Sequence, residues 1–333
     1  MRVAHSCLLA LGLLACVDQP TPRAAWQIRV SGGGHLAAVS LGQGVDTVLV
    51  VPGGPGFGAA YLEPLLAPLA SQRTFIFLDL RGRGHSSAAT APTFEMDLAD
   101  LDDAQAHLRL SRFAIVTHHY GALVASEYTR RHPGRVSRLV ALGPFLPRAR
   151  YQFDLALRGK DTAWQARVVA LYGARTPDLD PGRFCREAWE VHLAPADQGD
   201  PDVIRALGAG ICNSPAVALQ HRKDIKGGIL ESLGDWEWRD TLRALAIPMW
   251  VVSGNRGDVL LHAARTWAYY APDAGITELD APALFPWIGH EREVRSSLDQ
   301  FLQGRWSGST RKPPYDEVRS PGDDPQQPSA ALR

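Results

Sequence analysis

Short runs of consecutive apolar, largely β-branched residues alternate along this chain with longer amphipathic stretches. That alternation constrains the fold more than any other feature. The runs are DTVLVV (46–51), TFIFLD (74–79), FAIVT (113–117), RLVALG (138–143), MWVVSG (249–254) and ITELD (276–280). Uninterrupted apolar runs bounded by turn residues suit strands covered on both faces, the environment of a parallel sheet between helices. Helical patterns lie between them. YGALVASEYTRRHP (120–133), for example, closes on basic residues and Pro133, as a helix C-terminus does. Ahead of the first run, WQIRVSGGGHLAAVSLG sets two alternating segments around Gly32-Gly33-Gly34, a hairpin signal.

The alternation breaks over residues 146–240, where strand-like runs are missing and Trp, Arg and Asp are frequent. This predicts a helical cap (146–240) inserted into an α/β core made of residues 26–145 and 241–303. Residues 304–333 are rich in Pro, Ser and Asp and are expected to form a disordered tail.

Composition narrows the function classes. With 333 residues, 45% apolar and 21% charged, the chain can bury a sizeable core and is not disordered as a whole. A formal net charge of zero provides no basic field, so no nucleic-acid partner is expected. Four Cys without a CxxC pair point neither to a disulfide scaffold nor to zinc, and no metal or cofactor is expected.

The N-terminus, MRVAHSCLLALGLLAC, joins one basic residue, Arg2, to a short apolar stretch, which is the pattern of an export signal. Its end, Leu13-Leu14-Ala15-Cys16, resembles a bacterial lipobox, in which the Cys becomes the lipidated first residue of the mature protein; the alternative is an ordinary secretory signal cut nearby. Residues 1–16 are therefore expected to be a lipoprotein-type signal and 17–25 a linker. The resulting protein would be lipid-anchored to a membrane of the bacterial cell envelope, facing the periplasm or the surface. Cys185 and Cys212 then remain as a possible disulfide, or as two buried thiols.

Four motifs occur in a particular order. Pro52-Gly53-Gly54-Pro55-Gly56 follows a strand, and Asp79-Leu80-Arg81-Gly82-Arg83-Gly84-His85-Ser86 follows the next. The stretch Asp97–Gly143 carries Tyr128 and His132-Pro133, and Phe285-Pro286-Trp287 precedes Phe301-Leu302. Together they resemble α/β-hydrolases of the proline iminopeptidase (peptidase S33) type, over residues 26–303 except most of the cap. The resemblance implies an α/β-hydrolase fold: a mostly parallel central sheet with helices on both faces and a cap after the sixth strand. Arg81 and Arg83 would hold its loops together. Trp164, Trp189, Trp236 and Trp238 of the cap would line a pocket roof or simply pack.

The same resemblance implies a Ser on a strained G-x-S-x-G turn, a His after the last strand and an acid after the seventh. Here the turn reads Thr117-His118-His119-Tyr120-Gly121, so His119 stands at the Ser position. Leu284 stands at the His position and Gly257 at the acid position, with Asp258 next to it as a substitute. Pairing Gly289-His290 with the family's Gly-His fails on spacing, because Trp287 to Phe301 already matches. His118 and His119 as metal ligands lack a third partner. The backbone donors of an oxyanion hole, Tyr120 N–H and the Gly53–Gly54 turn, do not depend on the altered side chains.

Three functions stay open. The chain is a non-hydrolytic protein that binds a small carbonyl- or carboxylate-containing ligand or a protein partner of unknown kind. Alternatively, it is an enzyme using His119, with Asp258, as base or nucleophile on a small ester, amide or lactone. The third is an ordinary serine hydrolase that would need His290 and another nucleophile.

Overall fold

The computed structural model describes residues 22–149, 180–193 and 201–319, together with the single positions 166 and 170. Eight strands form one sheet: β1 (Arg23–Arg29), β2 (His35–Leu41), β3 (Thr47–Val51), β4 (Thr74–Leu78), β5 (Phe113–His118), β6 (Val136–Leu142), β7 (Met249–Arg256) and β8 (Ala274–Pro282). Their spatial order is β1-β2-β4-β3-β5-β6-β7-β8. The β1–β2 hairpin turns at Gly33 and Gly34, both at positive φ, and β2 runs antiparallel to β4. From β4 to β8 every pairing is parallel.

The uninterrupted apolar runs are explained by two cores, one on each face of the sheet. Because successive side chains point to opposite faces, Leu49 and Val51 enter one core and Val48 and Val50 the other. The first core packs on α2 (Phe94–Leu108), α3 (Gly121–Arg131) and α9 (Asp258–Tyr270), through Leu98, Leu123 and Trp267 among others. The second packs on the short α1 (Glu63–Leu66) and on α10 (Glu291–Leu302), through Leu66, Leu298 and Phe301. Helix α2 is started by Thr93, whose hydroxyl accepts the Met96 N–H at 3.1 Å, and stopped by Arg109 at φ +52°.

Between β6 and β7 lie α4 (Pro181–Leu193), α5 (Pro201–Ile211), α6 (Ala216–Gln220), α7 (Arg222–Leu233) and α8 (Arg239–Arg243). The chain leaves and re-enters the core side by side: Ala149 N–H donates to Trp236 O at 2.9 Å and Trp238 N–H to Pro147 O at 2.8 Å. Trp236 and Trp238 are buried there, with their indole N–H groups on Leu146 O and Ser126 Oγ. They pack the base of the cap instead of its roof; Trp164 lies outside the described residues. Cys185 of α4 and Cys212, just past α5, form a disulfide with Cα atoms 5.9 Å apart.

Residues 304–319 are not the loose tail that their composition suggests. Arg311 exchanges backbone hydrogen bonds with Ile276 at 2.8 and 3.0 Å, covering the β8 edge, and Val318 is buried. An otherwise open strand edge and a few apolar anchors (Trp306 on Phe301, Val318) order a segment whose composition is polar. Residues 320–333 lie outside the described residues, as do residues 1–21 with Cys16. Among the described residues no helix is long and apolar enough to cross a membrane.

Candidate functional site

The site is built at the C-terminal end of β5, where the chain turns sharply into α3. The residue at the turn is His119, at φ +48°. A non-glycine residue in this region carries strain of order 1–3 kcal/mol, sustained only where the surroundings hold it. They do: His119 N–H donates to Leu142 O at 3.0 Å, and its carbonyl accepts from Ala122 N–H (3.0 Å) and Phe145 N–H (3.1 Å). Gly121 is required next to it, since a Cβ there would lie 2.6 Å from Pro52 O and 2.7 Å from Val51 O. The elbow is therefore intact around an imidazole.

The His119 ring stands edge-on to Phe145, with centroids 4.6 Å apart. The residue is half-buried, but its Nδ1 is fully enclosed and has no hydrogen-bond partner. Burial pushes its pKa well below the ordinary imidazole value. Electrostatic coupling to His118 and to Lys226 pushes the same way, and a backbone hydrogen bond at Gly54 partly offsets it. His119 is accordingly a neutral imidazole at pH 7, and among the described residues no carboxylate touches it.

His118, completely buried, has a different task. Its Nδ1 lies 2.7 Å from Tyr61 Oη and its Nε2 2.7 Å from Leu284 O. Gly53 N–H donates to Tyr61 Oη at 2.9 Å. With that lone pair engaged, the hydroxyl proton goes to His118 Nδ1, and Nε2–H donates to Leu284 O; the tautomer follows from the chain of partners. Burial holds the ring neutral, with its pKa pushed down to about 4. Phe285 stacks on it at 5.0 Å. This chain of bonds ties the Gly-rich turn, the end of β5 and the loop after β8 together.

One expectation is corrected here. The Gly53 N–H cannot serve as an oxyanion donor, because it is committed to Tyr61. Gly54 and Tyr120, the latter opening α3, provide the N–H groups that remain candidates.

A second network fixes these groups from below. The Arg83 guanidinium, 1% exposed, donates to both carboxylate oxygens of the fully buried Asp97 at 2.5 and 2.7 Å. It also donates to Pro55 O (2.7 Å) and Arg81 O (2.9 Å), and Tyr120 Oη donates to Asp97 at 2.7 Å. Arg81 binds Asp100 at 2.6 Å. Both arginines thus hold loops. From above, Arg222 of α7 donates to Gly56 O at 3.2 Å and to Cys185 Sγ at 3.0 Å, with its guanidinium over the Phe57 ring.

The remaining sequence candidates fall as follows. Leu284 is partly buried, and its backbone carbonyl is taken by His118. Gly257 caps α9 at φ +141°, a conformation strained for any residue with a side chain. Asp258 is the first residue of α9, but its side chain lies outside the described structure. His290 is the N-cap before α10, with Nδ1 3.3 Å from Glu293 and Nε2 3.3 Å from Asp280 O, contacts remote from those of His119. The roles of Tyr61, His118 and Arg222 were not read from the sequence. A His preceding the elbow gives no local signal of partners 57 and 166 residues away. Among the described residues no group of three metal-ligating side chains occurs.

Known proteins share this architecture. A family model described as the alpha/beta hydrolase fold matches residues 46–180. A pimeloyl-[acyl-carrier protein] methyl ester esterase of Aromatoleum aromaticum is 28% identical over 192 residues, covering 55% of this chain and 71% of that protein. A putative carbamate hydrolase, RutD, of Shigella flexneri is 30% identical over 173 residues, covering 49% of this chain and 64% of that protein. The crystal structure of a proline iminopeptidase from Mycobacterium smegmatis superposes with a TM-score of 0.63 at 18% identity, over 84% of this chain and 98% of that one. With the strand order, the elbow and the Gly-rich turn already in place, the chain has the α/β-hydrolase fold.

Proposed function

We propose that this protein binds a small carbonyl- or carboxylate-containing ligand at its elbow and does not hydrolyse it by a Ser-His-Asp mechanism. The observation that carries this reading is His119: a neutral imidazole at the nucleophile position, with Nδ1 enclosed and unpartnered. In a working triad an imidazole takes the nucleophile's proton, and a buried carboxylate stabilises the imidazolium that forms. The nucleophile position holds no hydroxyl or thiol to activate, and the charge of Lys226 disfavours a protonated His119. Leu284 can neither accept nor return a proton. A general base is most effective with a pKa near the working pH, and His119 sits far below it.

Binding makes smaller demands. The N–H groups of Gly54 and Tyr120 are main-chain donors held by the Arg83–Asp97 network, and donors of this kind recognise a carbonyl or carboxylate oxygen whatever the elbow residue is. The activities named for the relatives, ester and carbamate hydrolysis, are not carried over to this chain.

The same proposal puts the protein in the bacterial cell envelope, lipid-anchored through Cys16. The lipobox-like N-terminus supports it, as does the Cys185–Cys212 disulfide, a bond that persists in oxidising compartments. Palmitate labelling abolished by Cys16→Ala is expected, and labelling that survives the substitution contradicts the anchor. The test of the central reading is a fluorophosphonate probe directed at activated serines. No covalent labelling is expected, and stoichiometric labelling would overturn the proposal.

A further inference from the structure

The N-terminal ends of β3, β5 and β6, opposite the elbow, border a cavity of about 290 Å³. Among the described residues that line it are four arginines, Arg73, Arg109, Arg112 and Arg138, and one carboxylate, Asp46. Arg73 is buried and committed to Asp299 at 2.5 Å, and Arg138 lies over the Phe301 ring. Arg109 and Arg112, in the turn between α2 and β5, are exposed. Among the described residues no carboxylate forms an ion pair with Arg109, Arg112 or Arg138. In a chain whose formal net charge is zero, the cavity lining is a local excess of positive charge.

Val45, in the turn before β3 at the same end, is 98% exposed and joins neither core. The chain also enters the fold here. One row of paired residues crosses the sheet from Arg23 through Leu41, Phe75, Val48 and Ala114 to Arg138. Strand β1 thus starts at the arginine end, and the elbow lies at the other. Between Cys16 and Arg23 the chain reaches at most roughly 25 Å. An anchor at Cys16 would hold this end of the sheet nearest the bilayer.

Building on the Cys16 anchor proposed above, we infer that the arginine-lined end docks on an anionic phospholipid surface. A headgroup phosphate enters the cavity between Arg109, Arg112 and Arg138, and Val45 dips into the interface. Guanidinium groups match phosphate oxygens as paired donors, and each basic residue gains on an anionic leaflet. The elbow is then presented to the aqueous phase, away from the membrane.

The test is vesicle flotation of the full chain carrying Cys16→Ala, so that no acyl chain contributes. Binding to vesicles of phosphatidylglycerol and phosphatidylcholine should be at least tenfold stronger than to phosphatidylcholine alone at 50 mM NaCl, and the preference should vanish at 500 mM. The apolar N-terminus acts on both vesicle types, so the ratio is the readout. Arg109→Gln with Arg112→Gln should erase that ratio, and Val45→Asp should reduce it. Arg186→Gln with Arg292→Gln removes the same charge from α4 and the start of α10 and should leave it intact. Equal binding to the two vesicle types, or a preference that survives Arg109→Gln with Arg112→Gln, would overturn the inference. So would calorimetric binding of inorganic phosphate without any vesicle preference, the result expected of a site for a free anion. Palmitate labelling of Cys16 judges the anchor separately, since no arm of this test uses a lipidated chain.

Discussion

Replacing Asp97 by Ala tests whether the buried ion pair under the elbow is what holds the site. The Asp97 carboxylate is fully buried and accepts three hydrogen bonds, two from Arg83 and one from Tyr120 Oη. Removing it leaves a guanidinium with 1% exposure and no counter-charge, a loss of about 3–5 kcal/mol. The Tyr120 hydroxyl loses its acceptor as well, worth roughly another 1 kcal/mol. Arg83 keeps its bonds to the Pro55 and Arg81 carbonyls, which holds the estimate near 4 kcal/mol in all. That is a large part of the roughly 5–15 kcal/mol that stabilises a typical fold. The control is the pair Arg83→Met with Asp97→Leu, which buries no charge and should be less damaging than Asp97→Ala alone. Urea unfolding followed by tryptophan fluorescence reads both. A loss under about 1 kcal/mol for Asp97→Ala, or a double variant less stable than the single, would refute the argument.

Three further outcomes are expected. The pKa of His118 is about 4 in the fold against 6.5 ordinarily, so the unfolded chain binds more protons between those values and stability is lost as pH falls through that window. At pH 4.5 this amounts to about 2.5 kcal/mol. His119 acts in the same direction, and Asp100, raised to about 6 by burial, acts in the opposite one. The comparison is therefore between wild type and His118→Gln: unfolding at pH 7 and 4.5 should show the smaller acid loss in the variant, and equal losses contradict it. Cys185→Ser with Cys212→Ser opens a link spanning 27 residues and should cost about 3–4 kcal/mol. Unfolding midpoints of the variant matching the oxidised wild type would contradict that. Truncation after Gly304 uncovers the backbone groups of Ile276 on the β8 edge, so sedimentation should show more self-association than in the full chain; an unchanged sedimentation profile counts against the strap.

The sheet was legible in the sequence because parallel strands buried on both faces leave a local signature. All six apolar runs coincide with strands, and the Gly32–Gly34 hairpin also formed. The elbow was legible because its tight contacts demand Gly121 whatever residue precedes it. What stayed hidden depends on contacts between distant parts of the chain. The commitment of Gly53 N–H to Tyr61, the bond from His118 to the Leu284 carbonyl and the reach of Arg222 from α7 to Gly56 have no periodicity to betray them. The order of residues 304–319 was missed for a similar reason. Composition reports how little apolar surface a segment has, and not that a strand edge awaits it.

The central claim, that this elbow binds and does not hydrolyse, is tested most directly by turnover. Wild type and His119→Ala would be assayed side by side on p-nitrophenyl esters, prolyl and alanyl amides and small lactones. The account predicts no turnover in the wild type above that of the variant. Turnover abolished by His119→Ala would show the elbow re-armed with an imidazole, and the binding account would fall.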